Sequence, residues 1–174
     1  VGVHIIIDGY NLIRASSSLS RAEAVSLEEG RRTLLERVAA YKRVKHWPVT
    51  VVYDGGGGGR LSPTSEREKG IQVVYSPAGQ TADQVIAGMA RRKGERALVV
   101  TSDRALAETV EAAGATALSS PEFEERMELA FYLETKGPVA EEEDIEPTLS
   151  TKKKGPPKRR PKADRRKAAR VSKI

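Results

Sequence analysis

The sequence predicts an α/β domain with a mostly parallel central sheet of about five strands, covered by helices on both faces. Three observations carry this. Short β-branched runs alternate along the chain with stretches of helical period. The first run, Ile5, Ile6 and Ile7, is apolar at every position, as in a central strand buried on both faces. Three strands then pass into an aspartate: Asp8, Asp54, and Asp103 after Ser102.

The elements follow in order. Strand one, VHIIID, ends at Asp8-Gly9-Tyr10-Asn11, which reads either as a turn or as a functional loop. In open α/β sheets ligands bind at the carboxyl ends of strands, so Asp8 stands where chemistry is expected. A polar stretch, Ser16–Ser20, precedes a helix opened by the capping pair Ser26 and Glu29, with Leu34, Leu35, Val38 and Tyr41 at helical spacing. Strand two, VTVVYD, ends on Asp54 and leads into Gly55–Gly59 and a polar loop. Strand three is IQVVY, residues 71–75. Thr81 and Gln84 start the next helix, which carries Asp83 in its first turn. Strand four, ALVVT, runs into Ser102-Asp103 and a helix ended by Gly114. Ala115–Leu118 forms a short fifth strand. Ser120-Pro121 opens a last helix with Phe123, Met127, Ala130 and Phe131 as its buried stripe.

Core composition stops near Gly137-Pro138. The expected organisation is a folded domain over residues 1–137, an acidic linker over 138–150 and a basic, disordered tail over 151–174, with 162–173 able to become helical on a partner. The net charge of +6 is divided accordingly. Residues 151–174 carry 12 Lys and Arg against the single Asp164, which leaves 18 against 23 acidic residues for 1–150. The argument for a polyanionic partner therefore rests mainly on the tail. With no cysteine, disulfides, zinc fingers and cysteine nucleophiles are excluded. That composition is compatible with the cytoplasm, the expected location. No apolar run is long enough to span a membrane, and a core strand at residue 3 predicts no signal peptide.

The chemistry lies in four aspartates: Asp8, Asp54, Asp83 and Asp103. Each has an ordinary reason to be where it is, since carboxylates favour turns and helix starts. In a parallel sheet, however, all four fall at one edge. Carboxylates crowded there repel one another, and a divalent cation relieves the repulsion. An all-oxygen set without Cys or His suits Mg²⁺ or Mn²⁺ rather than zinc. The five glycines are not a Walker phosphate loop, because no Gly-Lys-Ser/Thr follows.

The blocks IIIDGYNLI, VVYDGGG, TADQVIAGMA and VVTSDRAL, in this order, resemble the NYN domain of YacP-like proteins, a branch of the PIN-like ribonuclease superfamily. The resemblance covers residues 3–136. It implies a three-layer PIN-like α/β/α fold and a metal-dependent endoribonuclease that acts on RNA, messenger RNA in particular, with a link to the ribosome. Asp8, Asp83 and Asp103 are implied as the carboxylates that hold the ion, Asn11 as a catalytic-site residue, and Asp54 as a more variable metal position. Phosphodiester hydrolysis would leave a 5′-phosphate and a 3′-hydroxyl. The expected RNA contacts are Tyr10, Arg14, Arg60, Arg67 and Lys69 in the domain. In the tail they are Lys152, Lys153, Lys154, Lys158, Arg159, Arg160, Arg165 and Arg166, which could also dock the ribosome. The alternative is an RNA- or ribosome-binding module that keeps the fold without catalysis. A phosphatase is disfavoured, because Tyr10 stands where its second aspartate would be.

Overall fold

The computed structural model describes residues 2–55, 61–136 and 162–174, the last of these without the side chains of 162, 163 and 165. The elements are β1 (His4–Asp8), α1 (Gly9–Ala15), α2 (Ser17–Val25), α3 (Leu27–Lys45), β2 (Val49–Tyr53), β3 (Thr64–Glu68), β4 (Ile71–Tyr75), α4 (Ala82–Lys93), β5 (Ala97–Val100), α5 (Arg104–Ala112), β6 (Thr116–Leu118), α6 (Ser120–Lys136) and α7 (Lys162–Val171). The strands form one sheet in the order β3-β4-β2-β1-β5-β6. Every neighbouring pair is parallel except β3 with β4. The continuous apolar runs of β1, β2 and β5 are explained by helices on both sides. Ile5, Ile7, Val51 and Val100 pack under α1, α3 and α6, while Ile6, Val52, Val74 and Val99 pack under α4 and α5. This is the expected three-layer PIN-like arrangement, with β1 at its centre and β5 beside it.

The structure departs from the expectation in four places. The Asp8-Gly9 step is a helix start, because Asp8 is the N-cap of α1. The polar stretch after it is a second cap, Ser16, followed by α2, whose polar residues face solvent around one buried Leu19. β3 makes a sixth strand. Its sequence, TSERE, has no apolar period because an exposed edge strand buries almost nothing. Phe131 is 52% exposed and lies outside the buried stripe of α6.

The end of the chain is the largest correction. Residues 162–171 are helical and lie against the domain instead of forming part of a free tail. Ile174 is 3% exposed within the main core, and the Tyr41 hydroxyl donates to its carbonyl at 3.0 Å. Trp47 Nε1 donates to the Lys173 carbonyl at 3.3 Å. Lys167 pairs with Glu111 at 2.5 Å, and Arg166 and Arg170 pair with Glu95 at 3.4 and 3.1 Å. The charge division in the sequence is thus partly satisfied within the molecule: basic tail against acidic domain. The acidic linker 138–150 lies outside the described residues.

Gly55 is fixed by close approach. A Cβ there would sit 2.0 Å from the Ser76 carbonyl oxygen, while the Gly55 amide donates to Ser76 Oγ at 3.0 Å. Gly55→Ala is therefore expected to destabilise the domain by roughly 2–4 kcal/mol in urea unfolding. A change below about 0.5 kcal/mol, the size of an ordinary surface substitution, would refute that packing. Gly56–Gly59 lie outside the described residues.

Candidate active site

Asp8 ends the central strand and is 8% exposed. Its carboxylate is held loosely. Oδ1 accepts from the Asn11 amide at 3.4 Å, and Oδ2 accepts from the Thr101 hydroxyl at 3.5 Å. Burial pushes its carboxyl up to about 6, the Asn11 amide and Thr101 pull it down, and Asp83 and Asp54 add to the rise. Asp83, exposed in the first turn of α4, is also raised, first by partial burial and then by Asp103 and Asp54. The four aspartates thus meet electrostatically at the carboxyl edge of the sheet, one buried and three exposed around it.

Three of them also cap backbone. Asp8 caps α1, Asp103 caps α5 by accepting from the Leu106 amide at 2.9 Å, and Asp54 Oδ1 accepts from the Ala82 amide at the start of α4 at 2.7 Å. Three helix N-termini therefore converge on this edge and favour negative charge there. Each carboxylate spends one oxygen on a helix start, and those of Asp54 and Asp103 keep the other without a bond among the described residues. As donors these residues suit a hard divalent ion, and a buried carboxylate with only long hydrogen bonds lacks a close partner. Their spacing is not closed on an ion: among the described residues no group of three or more His, Cys, Asp or Glu is gathered tightly enough to hold one.

Asn11 is placed at the site but anchored. Its Oδ1 accepts from the Ser102 amide and the Ser120 hydroxyl, both at 2.8 Å, tying α1 to the β5–α5 turn and to α6. Its side-chain Nδ2 makes no bond among the described residues and remains available as a donor. Sequence reasoning missed Ser102 and Ser120 as its supports, and Thr101 as a partner of Asp8. Thr101 accepts from the Asp103 amide at 3.1 Å and Ser102 Oγ accepts from the Ser120 amide at 3.1 Å. The available signal was a hydroxyl pair, Thr101-Ser102, directly after an entirely apolar strand.

Tyr10 lies in the first turn of α1, two residues after Asp8, and Arg14 in the last turn, its guanidinium 5.4 Å from the Tyr10 ring and 3.6 Å from Glu23. Arg67 and Lys69 lie away from the acidic edge. Arg67 pairs with Gln72, and Lys69 follows in the β3–β4 turn at the far end of the sheet, 3.7 Å from Glu36. As contacts at the acidic edge, both are corrected by β3, which carries the chain away from the site. Arg166 is committed to Glu95. Arg60, Lys152, Lys153, Lys154, Lys158, Arg159, Arg160 and the side chain of Arg165 lie outside the described residues. His4 is structural, as its partner suggests: it is bonded to Thr50 Oγ1 at 2.8 Å and lowered to about 4 by burial and by Lys93.

Comparison with known proteins matches the family model of the YacP-like NYN domain to residues 5–161. The uncharacterized protein YacP of Bacillus subtilis (strain 168) is 32% identical over 104 residues, which cover 57% of this chain and 59% of that protein. The matched segment therefore spans less than two thirds of that relative. The crystal structure of Rae1 (YacP) from Bacillus subtilis is 27% identical with a TM-score of 0.61, covering 75% of each chain. A tryptophan-to-leucine variant of it gives a TM-score of 0.62 at the same identity, covering 74% of this chain and 76% of that one.

Proposed function

Since the chain belongs to the YacP-like NYN family and has a PIN-like nuclease fold, we propose that it is a divalent-metal-dependent endoribonuclease. The observation that carries the reading is Asp8: a buried, loosely bonded carboxylate at the end of the central strand, with three exposed carboxylates around it. Asp8, Asp83 and Asp103 would hold Mg²⁺ or Mn²⁺, with Asp54 as a further neighbour. When bound, such an ion neutralises phosphate charge and makes a hydroxide nucleophile accessible at neutral pH.

The chain's own groups do the rest. Thr101 and the start of α1 orient the Asp8 carboxylate through two long hydrogen bonds. Asn11, pinned through its Oδ1, would present its side-chain Nδ2 to a substrate oxygen. In-line attack by water on the phosphodiester would leave a 5′-phosphate and a 3′-hydroxyl. The substrate is RNA, expected to be messenger RNA. Contact with the ribosome would rest on the basic residues 152–160, since Arg166, Lys167 and Arg170 are occupied by the domain.

One observation favours a second reading, an RNA-binding module without catalysis: three of the four carboxylates already serve as backbone caps. A single experiment separates the two. End-labelled RNA incubated with the full chain should be cut internally with Mg²⁺ or Mn²⁺ and left intact in excess chelator. RNA that is bound but uncut under every ion condition, with and without ribosomes, would favour the second reading.

A further inference from the structure

Beside the acidic edge runs a row of three tyrosines. Tyr53 and Tyr75 are register partners at the ends of β2 and β4, their rings stacked at 5.8 Å. Tyr10, two residues after Asp8, meets Tyr53 with ring centres 4.9 Å apart. The row thus leads from the end of β1 across two further strand ends toward the β3 edge. Tyr53 is fully buried as its floor, while Tyr10 and Tyr75 are half-buried. Gly9 has no room for a Cβ because the Tyr53 ring would lie 2.2 Å away, so the chain yields its own side chain to this packing.

Two features of the row are unusual for plain core. The Tyr53 hydroxyl is buried without a hydrogen-bond partner among the described residues. The half-buried Arg31 guanidinium lies 6.0 Å from the Tyr53 ring and 5.9 Å from the Tyr75 ring, and makes no ion pair among the described residues. The aromatic faces give this partly buried cation only part of what an ion-pair partner would. Arg14 flanks the other end over Tyr10. Rings and guanidinium planes are what unpaired bases stack on, and an unmatched cation is what a phosphate seeks.

We propose that this row is the track of a single-stranded RNA segment leading away from the scissile phosphate. Bases stack on Tyr10 and Tyr75, and Arg31 takes a phosphate. The track rests on the ribonuclease reading, and it is bounded on the β3 side, where Glu66 and Glu68 bring negative charge to Tyr75, and Glu68 to Tyr53. It favours single strands, because a paired base has no free face to offer.

The test is binding of a fluorescein-labelled single-stranded RNA to the full chain, by anisotropy in chelator so that nothing is cut. A duplex of the same sequence serves as reference. Tyr75→Leu should weaken single-strand binding by roughly tenfold, with little change for the duplex, while Tyr75→Phe keeps the affinity because the ring suffices. Arg31→Gln should weaken binding and lower the slope of log affinity against log salt by about 0.7, and Arg31→Lys should restore that slope. Unfolding midpoints of the variants control for folding. Single-strand affinity within twofold of wild type in Tyr75→Leu and Arg31→Gln would overturn the track, as would equal losses in Tyr75→Leu and Tyr75→Phe. If the binding changes appear but wild type cuts no RNA under any ion condition, the track stands and the nuclease reading falls. If wild type cuts RNA and the variants bind and cut as well as it does, only the track falls.

Discussion

Asp8→Asn is expected to lower RNA cleavage by roughly a hundred- to a thousandfold while leaving a folded and more stable protein. The two effects share one cause. At pH 7 the wild-type carboxylate is ionised although burial disfavours the charge, its carboxyl having been pushed up to about 6 from 3.8. An acid raised in this way binds its proton more tightly folded than unfolded, so stability is lost as pH rises from about 4 through about 6. Asparagine removes the charge and keeps the cap on α1, since Asn and Asp cap equally well. Without added metal, the variant should exceed wild type by about 1–3 kcal/mol at pH 7, and the gap should close below pH 4. Urea unfolding at the two pH values measures the gap, and a labelled RNA measures the cleavage. Retained cleavage would remove Asp8 from the chemistry, and a variant less stable than wild type at pH 7 would mean that its charge is compensated in the fold.

Removing residues 151–174 should cost about 2–4 kcal/mol of stability. Ile174 leaves the main core, and the Tyr41 hydroxyl, buried under α6, loses its acceptor. The ion pairs contribute little to that sum. The side chains of Arg166, Lys167, Glu95 and Glu111 are 58, 50, 68 and 41% exposed, and exposed pairs are weak. Ile174→Ala should therefore destabilise by about 2 kcal/mol, and Lys167→Ala by well under 1 kcal/mol. The reverse order in urea midpoints would make the docking electrostatic. Truncation should also reduce RNA or ribosome binding and its salt dependence through loss of residues 152–160. Unchanged binding at several salt concentrations would assign that contact elsewhere.

The architecture was legible wherever burial dictated sequence. Ile5–Ile7, Val49–Tyr53 and Ala97–Val100 are apolar throughout because both faces are covered, and Thr81 with Gln84 forms the full reciprocal cap that their spacing implied. The common edge was read from strand ends for Asp8, Asp54 and Asp103 and from a helix start for Asp83. Among the described residues, however, no three of them are gathered tightly enough for an ion. What escaped were elements whose residues answer to solvent or to distant partners. TSERE carries no period because an edge strand buries nothing, and α2 hides behind serines that double as caps. The helical tendency of α7 was legible but its docking on the domain was not, because its anchor, Ile174, lies three residues past its end. Nothing local tells Ile174 that Tyr41 waits 133 residues away. The support of Asn11 by Ser102 and Ser120 is likewise a long-range fact, joining positions 91 and 109 residues apart.

The two outer strands of the sheet are guarded in different ways. β3 presents Glu66, Arg67 and Glu68 to solvent, which discourages another molecule from adding a strand there. β6, three buried residues long, has α7 laid alongside it, with Arg170 bonded to Thr116 at 3.1 Å. A protein cut short of Lys162 would thus expose backbone with no charged guard, and self-association through β6 should grow with concentration on sizing. The last helix then has a second use, as the molecule's protection against its own copies.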